Sequence, residues 1–237
     1  MIPLVLVHGG GFDSRCWEPL LPHLDTAALA VDLPGRGAHP LPFSDVTFAA
    51  CAESVRDDVE ASGFEHVVLV GHSLAGCSMP SIIDALGERV RHIVFIACTI
   101  PDHGRSAFDM LEPSIQEMIL AAGEVEPRPM DAATAKIVLG TDLTAEQFAW
   151  CKERLVAEAP SLTMEGVDLA PLRSSVPRTW IVTRNDIIVP ARRQVAYAAT
   201  VGDCRVIDFD AGHMCMVSRP AALGRILNDI AANAPSM

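Results

Sequence analysis

Six short apolar runs punctuate the chain, most of them bounded by small or turn-forming residues: Pro3–Val7, Leu29–Leu33, Val67–Val70, His92–Cys98, Arg178–Thr183 and Arg205–Phe209. Continuous β-branched and aliphatic runs of this length suit strands of a sheet that is covered on both faces. Between most of them the apolar residues recur at helical intervals instead. "CWEPLLPHL", "FAACAESVRDDVEASG" ending on Gly63, "LAGCSMPSIIDALGE", "ARRQVAYAATVG" and "RPAALGRILNDIAANA" all read as helix. Strands alternating with helices predict an α/β fold with a mainly parallel sheet. One interval breaks the rhythm. From Thr99 to about Val176 no convincing buried strand occurs, whereas "SIQEMILAAG" and "TAEQFAWCKERLVAEA" have helical character. A structureless loop of that length is improbable in a compact domain. Residues 99–176 are therefore expected to form a largely helical cap, inserted into a core made of residues 1–98 and 177–237.

The third apolar run leads directly into "GHSLAG", so the implied order is strand, sharp turn, helix. Gly71 frees the turn from Cβ crowding, which lets the chain hold Ser73 in a strained conformation with its hydroxyl above the sheet edge. This is the arrangement of a nucleophile elbow, usually written G-x-S-x-G. Here Ala75 occupies the last position and Gly76 follows it. The position calls for a small residue where helix and strand approach, and a methyl group can fit. Pro80, inside the same helix, removes one backbone hydrogen bond and is expected to kink or shorten it. The pentapeptide alone is also compatible with a Gly-Ser turn in an unrelated sheet protein.

Acyl transfer by a serine needs a base for the hydroxyl proton, a carboxylate to orient that base, and donors for the developing oxyanion. Each has a candidate in a workable chain order. His213 follows the sixth apolar run and precedes the last helix, which puts it at the same sheet edge as Ser73. Asp186, just past the fifth run, is the favoured acid; Asp102, just past the fourth, is the alternative. Leu74 N–H, at the start of the helix after the serine, is one oxyanion donor, and Gly10 N–H in "HGGG" is the other. A phosphate-binding reading of "HGGG" is weaker, because neither G-x-G-x-x-G nor a P-loop lysine is present. His8 and His72 flank a strand end and a tight turn and read as packed, hydrogen-bonded scaffold.

Composition narrows the classes. Half of the 237 residues are hydrophobic, enough to bury a sizeable core. With 18 basic and 30 acidic residues the net charge is -12, and no Lys/Arg-rich block interrupts it. Nucleic acid and anionic membrane surfaces are therefore not expected partners. The seven cysteines are scattered without a C-x-x-C pair, as in a reduced cytoplasmic protein. No targeting peptide or membrane span is expected, since the apolar run at Ile2–Val7 is short and lacks a basic flank.

Assembled, these segments resemble the α/β-hydrolase superfamily, and within it the small-molecule methylesterase and hydroxynitrile lyase branch. The matching stretches are "LVLVHGGGFDSRCW", "VDLPGRG", "VVLVGHSLAG", "VFIACTIPDHG", "VPRTWIVTRNDIIVP" and "GHMCMVSRP", in order along nearly the whole chain. The resemblance implies a six-stranded parallel core without the two usual leading strands and a triad of Ser73, Asp186 and His213. It also implies Gly10 and Leu74 as backbone oxyanion donors, with no cofactor and no metal. Gly11 and Met214 are expected to line the substrate pocket. The implied activity is hydrolysis of a small, mostly apolar ester, with a homodimer as a further expectation. Alternatives are a non-hydrolytic ligand receptor on the same fold, a lactone-cleaving relative, or a hydroxynitrile lyase. Lyases of this type carry a lysine directly after the base histidine, and this chain has Met214 there.

Overall fold

The computed structural model describes residues 1–123 and 126–235. Its centre is one sheet of six parallel strands: β1 (Leu4–Val7), β2 (Ala28–Val31), β3 (Val67–His72), β4 (Val90–Ile96), β5 (Arg178–Thr183) and β6 (Arg205–Phe209), in the order β2-β1-β3-β4-β5-β6. β1 and β3 carry no exposed residue, as their unbroken apolar runs require. β6 is an edge strand and is mostly exposed. Side chains of alternate parity feed two apolar clusters, one on each face. Val5, Leu69 and Phe95 point to one; Leu6, Val70 and Ile96 point to the other.

The helices that cover the sheet begin and end where their termini can be satisfied. α1 (Phe48–Ser62) starts on Thr47, whose side chain accepts from Ala50 N–H, and stops at Gly63 with φ +73°. α2 (Ala75–Leu86) leaves the serine turn and runs through Pro80 to Leu86, so the proline does not shorten it. The segment expected as a first helix differs: it folds into two single 3₁₀ turns, Ser14–Trp17 and Leu21–His23, because Pro22 cannot supply a helical N–H in mid-run.

Between β4 and β5 the described residues contain no strand but four helices: α3 (Pro113–Ala122), α4 (Ala132–Leu139), α5 (Ala145–Lys152) and α6 (Ser161–Met164). α5 opens with a capping box, Thr144 to Gln147, yet ends at Lys152, well before the end of its helical sequence pattern. The chain beyond is drawn to the core by tertiary bonds, among them Val156 N–H to Gly11 carbonyl at 2.9 Å. After β5 come α7 (Ala191–Val201), then α8 (Cys215–Ser218) and α9 (Pro220–Asn233) behind β6. In a parallel sheet the strands' carboxyl ends share one edge, and the loops after β1, β3, β5 and β6 therefore converge there.

Candidate active site

Ser73 lies at the tip of the turn between β3 and α2 with φ 54°, a left-handed conformation that only one other described non-glycine residue, Ala97, shares. An L-residue held there costs about 1–3 kcal/mol, so its surroundings must hold it. Ser73 N–H donates to Ile96 carbonyl at 3.0 Å, and Ser73 carbonyl accepts from Gly76 and Thr99 N–H at 3.0 and 3.1 Å. Close approach explains two neighbouring glycines. A Cβ on Gly9 would sit 2.7 Å from Ser73 Cβ; one on Gly76 would strike the Thr99 carbonyl and lie 2.9 Å from Cys98 Cβ. The tight helix–strand approach thus falls on Gly76, and the buried Ala75 is tolerated one residue earlier.

His213 approaches the serine from the loop between β6 and α8. Its Nε2 is 2.9 Å from Ser73 Oγ and its Nδ1 is 2.7 Å from Asp186 Oδ2. Asp186 sits just past β5, its side chain fully buried. Its Oδ2 also accepts from Thr183 Oγ1 at 3.0 Å, and its Oδ1 accepts from the N–H groups of Ile188 and Val189 at 2.8 and 3.0 Å. Burial pushes the Asp186 carboxyl up. The charge of His213 and the hydrogen bonds it receives outweigh that and hold it below the usual carboxylate range. An ionised Asp186 fixes the proton on Nδ1 and leaves the Nε2 lone pair facing the serine hydroxyl. Gln194 braces this group: its amide donates to Thr183 Oγ1 at 2.9 Å and accepts from Thr183 N–H at 3.1 Å.

The other acids are elsewhere. Asp102 is exposed on a turn closed by Arg105 N–H to its carbonyl at 2.9 Å. Asp208 pairs with Arg184, and Asp210 accepts from Asn185. The structure brings Asp186 alone of these to His213.

Two buried histidines support the site from beneath. Leu33 N–H donates to His8 Nε2 at 3.1 Å, so the ring proton must be on Nδ1, which donates to Gly9 carbonyl at 2.9 Å. Because the Gly9–Gly10 peptide is planar and trans, anchoring that carbonyl turns Gly10 N–H the opposite way. His72 donates from Nε2 to the backbone carbonyl of His213 at 2.9 Å, with the two rings 4.7 Å apart. Burial, and then Arg36, push His8 down to about 4; burial, and then His213, push His72 down to about 3.

Gly10 and Leu74 lie against each other, since a Cβ on Gly10 would be 3.0 Å from Leu74 Cδ2. Neither N–H donates to a protein acceptor among the described residues. Gly11 N–H is committed, to Glu158 Oε2 at 3.0 Å. Met214 has no exposed surface and packs in the apolar cluster that holds Phe12 and Trp17. The loop that follows the base histidine must bury its apolar run, "MCMV", against the sheet, and that turns the thioether inward. Sequence reading missed Arg36, Glu158 and Gln194. Gln194 carries no motif signal, and nothing in the linear chain pairs position 36 with position 158.

The space beside Gly9, Gly10, Leu74, Glu158 and Leu162 is a cavity of about 10 Å³, room for one water. A larger concavity of about 600 Å³, bordered by His103, Arg173 and Asp203, lies at the amino end of β5, the opposite sheet edge from the serine. Among the described residues no group of three or more His, Cys, Asp or Glu is placed to hold a metal ion, and no helix is long and apolar enough to cross a membrane.

Known proteins resemble the chain over nearly its whole length. Polyneuridine aldehyde esterase from Rauvolfia serpentina is 28% identical, the match covering 95% of this chain and 94% of that protein. Methylesterase 3 from Arabidopsis thaliana is also 28% identical, over 96% and 95%. The solved structure of an extracellular alpha/beta-hydrolase from a Paenibacillus species superimposes with a TM-score of 0.85 at 18% identity, covering 97% of this chain and 98% of that one. The family model described as "Alpha/beta hydrolase family" matches residues 4–226, nearly the full length, and the chain therefore belongs to the alpha/beta hydrolase family.

Proposed function

We propose that the protein is a serine carboxylesterase acting on a small, mostly apolar ester. The observation that carries this reading is the unbroken relay from Ser73 Oγ through His213 to Asp186, at 2.9 and 2.7 Å, on a serine held at positive φ. Esterases among its relatives at full-length coverage support it.

In the mechanism, His213 Nε2 takes the Ser73 proton as Oγ forms a bond to the ester carbonyl carbon, and the carbonyl π electrons move onto oxygen. Gly10 and Leu74 N–H stabilise that oxyanion; the first is aimed by the His8 anchor on Gly9, the second lies at the amino end of α2 where the helix dipole favours negative charge. Ionised Asp186 stabilises the imidazolium. Collapse of the oxyanion breaks the bond to the alkoxy group, which leaves as alcohol with the proton from Nε2. Water then gives a proton to Nε2 as it attacks the acyl-enzyme, and a second collapse releases the acid and regenerates Ser73. A lyase has no ammonium to use after the base histidine, where the buried Met214 stands.

The test is fluorophosphonate labelling followed by peptide mapping, with a panel of aryl, methyl and lactone esters. Stoichiometric modification at Ser73 with turnover of short-chain esters is expected. A protein that neither labels nor turns over any ester is a non-hydrolytic member of the family.

A further inference from the structure

The loop that carries Gly10 is gripped from a second side by residues the mechanism does not use. Glu158, in the segment between α5 and α6, accepts Gly11 N–H on Oε2 at 3.0 Å and its neighbour Ala159 N–H on Oε1 at 2.9 Å. The same carboxylate forms a two-pronged ion pair with Arg36 of the β2 loop, through Nη2 to Oε1 and through Nη1 to Oε2 at 3.1 Å. Arg36 Nη1 also donates to Phe12 carbonyl at 2.9 Å, and Val156 N–H to Gly11 carbonyl at 2.9 Å. The arginine side chain is almost wholly buried, 2% exposed, and the glutamate is 21% exposed. Charges withdrawn from water to this degree are retained only in good geometry, and a planar guanidinium facing a carboxylate is the geometry that serves.

Two peptide planes meet at Gly10, and both are clamped. His8 holds the Gly9 carbonyl on one side; Glu158 holds Gly11 N–H on the other. Gly11 itself has φ +72°, a conformation that glycine adopts readily, and it has no side chain with which to restrain the loop. The charges also matter. Glu158 Oε2 would be 3.1 Å from a Cβ on Gly10, close to where the oxyanion forms, and a bare carboxylate there would oppose that negative charge. Arg36 neutralises it.

We propose that Glu158 and Arg36 form a positioning pair that aims Gly10 N–H at the forming oxyanion and ties the competent oxyanion loop to the docked cap segment. The proposal rests on the esterase reading above. Neither residue touches the reacting atoms; both act through the Gly10–Phe12 backbone.

The experiment compares wild type with Glu158→Gln, Arg36→Met and the double variant, measuring kcat and KM on p-nitrophenyl acetate, the Ki of a short trifluoromethyl ketone and the thermal midpoint. The ketone adds to an active serine and presents an oxyanion, so its affinity reads the donor geometry. Glu158→Gln is expected to lower kcat roughly 10- to 100-fold and weaken the ketone by a comparable factor, with KM within about threefold. Arg36→Met, which strands the carboxylate, is expected to lose more than the double variant. If Arg36→Met does not fold, Glu158→Gln and Glu158→Ala decide. The clamp is overturned by a folded Glu158→Gln protein that keeps kcat and ketone affinity within twofold, or one whose loss lies wholly in KM. A wild type inert to both ester and ketone overturns the hydrolase reading and the clamp with it.

Discussion

Acid should unfold this protein through its two buried neutral histidines before it protonates the site's carboxylate. His8 is wholly buried and His72 is 2% exposed. Leu33 N–H occupies the Nε2 lone pair of His8, so a second ring proton would set two donors face to face. In the unfolded chain both rings titrate near 6.5; in the fold they are pushed down to about 4 and about 3. The sign follows from proton counting. Below the unfolded value the unfolded chain binds protons that the native rings refuse, so stability present above 6.5 is lost as pH falls. Between pH 8 and pH 5 each histidine removes about 2 kcal/mol, and the pair about 4 kcal/mol, a large fraction of a domain's net stability. His92, also held low by burial and then Arg205 but only partly buried, adds a smaller amount in the same direction. Asp186, held low, releases its contribution only below the ordinary carboxylate range, outside this window. The assay is urea unfolding at pH 8 and pH 5 and equal ionic strength, for wild type, His8→Gln and His72→Gln. Each variant is less stable at pH 8, yet its loss on going to pH 5 should be smaller than wild type's by about 2 kcal/mol. A variant whose pH dependence equals that of wild type would refute the reasoning for that histidine.

Ser73→Ala and His213→Ala should each lower kcat by roughly 10⁴ to 10⁶, and the double variant should be little worse than either, because nucleophile and base act as one unit; additive losses in steady-state ester kinetics would mean that one is misassigned. Asp186→Asn should cut turnover by about 10² to 10⁴ in a folded protein, since an amide cannot stabilise the imidazolium, while Asp102→Asn should be near neutral. The reverse ranking would move the acid to the loop after β4. Gly76→Val should destabilise by more than ~2 kcal/mol in denaturant titration, its side chain meeting the Thr99 carbonyl, whereas Ala75→Gly should change stability by under about 1 kcal/mol. Equal costs at the two positions would contradict the packing described around the elbow.

What the sequence determined by itself is the part that is periodic or local. Short apolar runs between turn residues announce the parallel strands, and β5 and β6 have the bounds that their patterns predict. The elbow is local too, because strand, glycine, serine and helix are contiguous and the strain is stored within one turn. Chain order then placed His213 and a strand-end aspartate at the serine's edge, since parallel strands put all their carboxyl ends on one side. What only the tertiary structure decided is which distant groups meet. Asp102 and Asp186 both follow strands, and the choice between them rests on a hydrogen bond across 27 positions. The inward turn of Met214 and the early end of α5 reflect packing and long-range bonds outweighing local pattern. The Arg36–Glu158 pair spans 122 positions and joins the loop after β2, the segment between α5 and α6, and the Gly11–Phe12 backbone. Its strength depends on withdrawal from water, a property that no residue has until the chain has folded around it.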